Sequence, residues 1–135
     1  MQKQYIVPEK LYPATGAYTP AIKVAGGNLL FVSGIVGIEE DGTLPPGDIV
    51  RQAEAAYRNL AIVLEAAGGS MADIVKVNIY IGEDFQKHRD ELRRARARFF
   101  TGEFPVSTLL QVAGFANPDY LFEIEAIAVL PDDAG

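Results

Sequence analysis

The sequence predicts an α+β domain of element order ββαβαββ, with both helices packed on one face of a sheet. Two stretches space their apolar residues by threes and fours, as amphipathic helices do, and several shorter runs alternate with period two, as strands do. The third observation is numerical. Two helices cannot cover both faces of about five or six strands, so one sheet face is left open and a homo-oligomer is expected on burial grounds. At 135 residues the chain suits one domain spanning residues 1 to 135, and that length buries roughly two thirds of the surface exposed by the unfolded chain.

Taken in order, residues 1 to 20 are rich in Pro and Tyr, with turn signals at Pro13, Gly16 and Pro20, and read as an ordered arm leading into a strand. AIKVAGGNLLFVSG then predicts strands from Ala21 to Ala25 and Leu29 to Ser33, paired as a hairpin around Gly26-Gly27-Asn28. Glu39 to Asp48 has Gly and Pro without an apolar period and reads as a surface loop. From Asp48, a plausible N-cap, the residues Ile49, Ala53, Ala56, Leu60, Val63 and Ala67 mark a helix stopped by Gly68-Gly69. IVKVNIYI, Ile74 to Ile81, alternates as a strand covered on one face. A second helix is signalled by Asp84, carries Phe85, Leu92, Ala95 and Phe99 on its buried stripe, and ends at Thr101-Gly102. Strands from Ser107 to Ala113 and Leu121 to Val129, separated by an Asn117-Pro118 turn, close the chain.

Composition narrows the function. Hydrophobic residues make up 49% and charged residues 22%, as in a globular protein. The net charge of -6 gives no global attraction to nucleic acid or to an anionic membrane. There is no cysteine, hence no disulfide, thiol nucleophile or thiolate metal site. No apolar run approaches a membrane span and no signal core opens the sequence, so a cytoplasmic protein is expected.

Glu123 and Glu125 lie two apart in the otherwise apolar stretch FEIEAIAV. In a regular strand both point away from Phe122, Ile124 and Ala126, onto the side that the helices leave uncovered. Either they are solvated there, or one is a carboxylate at a subunit interface acting as general base or water-positioner. HRDELRRARAR places Arg89, Arg93 and Arg96 on one helical stripe, which reads as a solvated face or as a means of holding an anion. His88 is the only histidine, which argues against a multi-histidine metal site or a His-centred triad. The glycine pairs do not form a phosphate loop. Ser33-Gly34 at a strand end and Ser107-Thr108 at a strand start offer hydroxyls and backbone N–H groups, though turn chemistry explains such residues as well.

GAYTPA (Gly16 to Ala21), LLFVSGIVGI (Leu29 to Ile38), QAEAAYRNLAIVLEAAGGSMADIVKVNIYI (Gln52 to Ile81), RFFTGEFPVST (Arg98 to Thr108) and FEIEAIAV together resemble the RidA/YjgF family of reactive-intermediate deaminases. The resemblance covers roughly residues 14 to 131, and several motifs agree in order and spacing. It implies a chorismate-mutase-like fold and a homotrimer with a central barrel and ligand pockets between subunits. It further implies hydrolysis of small enamines or imines to a carbonyl compound and ammonia, with a small-molecule substrate, no metal and no cofactor. By position, Glu123 falls where a glutamate contacts the reacting water. Tyr18 falls where a tyrosine lines the pocket, Ser33 and Gly34 where a hydroxyl and a backbone N–H meet the ligand, and Leu109 where a backbone carbonyl helps hold the water.

One position departs from the pattern. The family's active deaminases read FPARS, where the arginine clamps the substrate carboxylate, whereas this chain reads FPVST with Ser107 in the arginine's place and Thr108 beside it. A hydroxyl does not replace a bidentate guanidinium. The expectation is therefore either a substrate other than the standard 2-imino acid, with its anionic group held by another base such as Arg93, or a non-catalytic ligand-binding or regulatory trimer using the same cleft.

Overall fold

The computed structural model describes residues 1–82 and 85–132. Six strands and two helices follow one another as β1 (Gln2–Ile6), β2 (Ala21–Ala25), β3 (Asn28–Ile35), α1 (Ile49–Ala66), β4 (Ile74–Ile81), α2 (Phe85–Phe99), β5 (Val106–Gln111) and β6 (Phe122–Leu130), with a single 3-10 turn at Met71–Asp73 before β4. The α+β class is as the sequence predicts, with one more strand, because the N-terminal arm begins as β1. The expected start of α2 at Asp84 lies outside the described residues.

The main sheet has the order β3-β6-β4-β5. β4 runs parallel to β5 and antiparallel to β6, which in turn is antiparallel to β3. A parallel pair needs a crossover, and α2 supplies it. The expected hairpin between β2 and β3 is not formed. β2 pairs instead with β1 in a separate two-stranded sheet. Gly26 and Gly27 both have positive φ, and a Cβ at Gly27 would lie 2.6 Å from the Val129 side chain and 2.7 Å from that of Met1. The turn is wedged between the end of β6 and the start of β1, so the chain passes from one sheet into the other instead of folding back along itself.

Helix α1 starts where Asp48 accepts a hydrogen bond from the Arg51 N–H (3.1 Å). It ends in a Schellman arrangement, with Gly69 donating to the Leu64 carbonyl (2.8 Å) and Gly68, at φ +85, donating to that of Glu65 (3.0 Å). Ala53, Ala56, Leu60 and Leu64 of α1 are completely buried against Val77, Ile79 and Ile81 of β4 and Phe122 and Ile124 of β6. Leu92 and Ala95 of α2 are buried as well, which places both helices on one face. Each buried Leu, Ile or Phe contributes about 1.5–3 kcal/mol. Tyr57 stacks on Phe99 and meets Phe100 and Phe122 edge-on, so an aromatic cluster ties the helices to β6.

Gln52 is a fully buried polar side chain. Its Nε2 donates to the carbonyls of Pro45 (2.9 Å) and Asp119 (3.0 Å), and its Oε1 accepts from the Leu121 N–H (2.8 Å). One residue of α1 thereby fixes the loops before α1 and before β6. The arm after β1 is held by Thr19, which bonds the backbone of Phe104 and Pro105 ahead of β5. That anchor sets Tyr18 beside β5.

Candidate functional site: two faces of one sheet

Alternation along β6 places Phe122, Ile124 and Ala126 in the core and Glu123 and Glu125 on the helix-free face, both half-buried. The ladder aligns Asn78 of β4 with Glu125 and Tyr80 with Glu123. Glu125 is occupied: its Oε1 accepts from Asn78 Nδ2 (3.0 Å) and from the Tyr80 hydroxyl (2.5 Å). These bonds, that from Tyr80 first, hold its carboxyl below the usual carboxylate range, and the same bond raises the Tyr80 phenol.

Glu123 has no hydrogen-bond partner among the described residues. Its surroundings are set by β3, whose register slips between Val32 and Ile35, so that Ser33 and Gly34 bulge from the ladder beside β6. A Cβ at Gly34 would lie 2.7 Å from both Cδ and Oε2 of Glu123. Only a glycine lets the carboxylate rest against the backbone here. Ser33, Gly34 and Glu123 are therefore brought to one place, and Thr108, aligned with Asn78, stands on the same face.

The other predicted residues lie on the opposite side. A cavity of about 730 Å³ opens between α2, the arm and the sheet, and is lined by Tyr18, Arg93, Ser107 and Leu109 together with apolar side chains such as Phe85 and Phe104. Arg93 reaches it, with Nη2 donating to the Thr15 carbonyl (2.7 Å). Within one chain the sheet thus separates Glu123, Ser33, Gly34 and Thr108 from Tyr18, Arg93, Ser107 and Leu109.

Sequence reasoning placed Arg96 on the arginine stripe without separating it from Arg89 and Arg93. As part of the arginine stripe it was open to a solvated reading, yet it is half-buried, and its Nη1 donates to Ser107 Oγ (3.1 Å) while Nη2 donates to the Ala17 carbonyl (2.6 Å). Its guanidinium also lies 5.6 Å from the centre of the Phe100 ring. Burial lowers the Arg96 pKa, and burial pushes the neighbouring Tyr57 phenol up to about 12. The signal was present in the sequence, because Arg96 stands four residues from both Leu92 and Phe100, two buried positions. No group of acidic and histidine side chains suited to a metal ion occurs among the described residues.

The described residues form a six-stranded α+β chain with a carboxylate on a bulged, helix-free sheet face and a basic cavity behind it. The sequence matches the profile of the Endoribonuclease L-PSP family over residues 9–130. It is 33% identical over 134 residues to a 2-iminobutanoate/2-iminopropanoate deaminase of Dermatophagoides farinae, covering 96% of this chain and 99% of the relative. It is 31% identical over 129 residues to a 3-aminoacrylate deaminase of Acinetobacter baylyi, covering 95% and 98%. A crystal structure from Yersinia pestis, described as a protein of unknown function of the conserved Rid protein family, superposes with a TM-score of 0.88 at 26% identity over 96% of this chain and all of that one. The chain belongs to the RidA/YjgF family, in which relatives are named as deaminases of imines and of an enamine.

Proposed function

We propose that the protein hydrolyses a small enamine or imine to a carbonyl compound and ammonia, at a site that a second copy of the chain completes within a homotrimer. The observation that carries this reading is the contrast between the two glutamates. Glu125 is committed to hydrogen bonds from Asn78 and Tyr80, while Glu123 rests on Gly34 with its carboxylate uncommitted among the described residues.

Water adds to the C=N carbon of the imine, or of the imine tautomer of an enamine. Its oxygen forms the new C–O bond, the C=N π electrons move to nitrogen, and Glu123 takes one proton from the water and hands it to that nitrogen, which leaves the neutral carbinolamine. Glu123 then takes the carbinolamine's hydroxyl proton as C=O forms and delivers it to the nitrogen as the C–N bond breaks, so one water is consumed for each ammonia released. General acid–base assistance of this kind contributes ~10² to 10⁴ in rate. The Leu109 carbonyl is the expected second acceptor for the water.

Assembly supplies what one chain lacks. β5 is an edge strand of the main sheet, with backbone groups open on one side. Leu29, Phe31 and Leu110 are exposed at 64%, 70% and 52%, apolar surface suited to burial by another copy. Glu123, Ser33 and Gly34 of one copy would then meet the Tyr18, Ser107 and Leu109 side of the next. The test is ammonia release from a panel of enamines and imines with and without a carboxylate. Wild type should turn over at least one of them, and Glu123→Ala should lower that rate by about 10²-fold. Tight metabolite binding with no turnover by wild type would make the protein a binder instead of an enzyme.

A further inference from the structure

The cavity behind the sheet is lined by four arginines, Arg89, Arg93, Arg94 and Arg96, and by no acidic side chain among the described residues. In a chain of net charge -6 that is a local reversal of sign, and low-dielectric walls focus such a field on an entering anion. Arg96 is the least exposed of the four. Among the described residues its Nε is fully buried without a hydrogen-bond partner, and no ion pair includes it. Two of its five N–H donors are used, on Ser107 and Ala17, and they fix the plane of the guanidinium. A buried cation without a counter-ion is costly, and a planar fork with free donors matches a carboxylate.

We propose that Arg96, carried on α2 and steadied by Ser107, is the anion-binding residue of this cavity, and that it takes the carboxylate of an organic acid with an apolar body. Arg96 brings a guanidinium from α2 to the Ser107 hydroxyl on β5, with Nη1 donating to Oγ (3.1 Å). The body of the ligand follows from the walls. Phe85, Leu92, Phe104 and Ile81 line the cavity, and its volume of about 730 Å³ falls among sites of ~300–1,000 Å³ that enclose ligands much larger than a three-carbon acid. The proposal deepens the deaminase reading by naming its substrate class and rests on that reading only for the chemistry after binding.

Unreactive probes separate the two. Calorimetric titration of the full-length protein with phenylacetate, phenylacetamide and acetate should show phenylacetate binding at least about tenfold more tightly than either of the others. Arg96→Gln should abolish the preference of acid over amide, and Arg98→Gln, whose arginine pairs with Glu54 outside the cavity, should retain it. On the unsubstituted protein, saturating phenylacetate should shift the Arg96 Nε–H resonance, assigned through its loss in Arg96→Lys, and phenylacetamide should leave it in place. Equal binding of acid and amide by wild type, an undiminished preference in Arg96→Gln, or an unmoved Arg96 Nε–H would each overturn the proposal. Acetate binding as tightly as phenylacetate would overturn the apolar body. Deamination enters none of these readouts, so their failure leaves the hydrolytic reading standing, and absent turnover leaves them standing.

Discussion

Gly34→Ala separates the chemistry of Glu123 from the stability of the fold. The added methyl carbon would sit 2.7 Å from Cδ and Oε2 of Glu123, and restoring an ordinary contact of at least 3.4 Å moves the carboxylate by about 0.7 Å. Gly34 does not have a positive φ, so alanine fits the backbone, and the atoms that must yield are the free end of a flexible side chain. Stability should change by less than about 1 kcal/mol. A displacement approaching 1 Å of a group that must aim water at carbon costs about 10²-fold in rate. Ammonia release and thermal unfolding of the same preparation give both quantities. Turnover within twofold of wild type, alongside a Glu123→Ala variant that is inactive, would refute the placement of the reacting carboxylate against the bulge.

Other perturbations address the fold and the assembly. Gln52→Leu strips partners from the carbonyls of Pro45 and Asp119 and from the Leu121 N–H, and should destabilise the protein by about 2–4 kcal/mol in urea titration, since each buried orphan costs about 1–3 kcal/mol. Tyr80→Phe removes the main bond that keeps the Glu125 pKa low. A depressed carboxylate contributes stability above its unfolded pKa and loses it as pH falls through the folded one. The Tm advantage of wild type over Tyr80→Phe should therefore be present at neutral pH and shrink in acid below the ordinary carboxylate range, and an advantage independent of acidification would contradict that. Phe31→Glu puts a charge on the exposed apolar face. Light scattering should give a trimer for wild type and a monomer for the variant, because burying each Phe contributes about 1.5–3 kcal/mol that a buried carboxylate forfeits.

Much of the architecture was legible because periodicity reports burial directly. The alternation of FEIEAIAV placed both glutamates on the helix-free face, and the Asp48 cap and Gly68-Gly69 stop bounded α1 closely. Pairing partners were less legible. The glycine turn at Gly26-Gly27 looks the same in sequence whether its strands fold onto each other or part into two sheets, and the arm's β1 strand finds its partner across a long gap. At the site, strand position did not distinguish Glu123 from Glu125, and the helical stripe alone did not pair Arg96 with Ser107. Those differences arise from long-range contacts, such as Tyr80 with Glu125, Gly34 with Glu123 and Arg96 with Ser107. No local pattern encodes those pairings, although the four-residue spacing of Arg96 from Leu92 and Phe100 marks that arginine as partly buried.

Subunit mixing tests the central claim most directly, because the claim is that Glu123 of one copy acts on the cavity of another. Ala97 lines the cavity from an exposed position on α2, so Ala97→Trp blocks the cavity while leaving Glu123 intact, and Glu123→Gln does the reverse. Each variant alone should release ammonia at no more than about 1% of the wild-type rate. Refolded together in equal amounts, with mixed trimers verified by native mass spectrometry, they should regain about a quarter of wild-type turnover, from sites that pair an open cavity with an intact Glu123 of the neighbour. Verified mixed trimers without recovered turnover, or a fully active Glu123→Gln protein, would contradict the account.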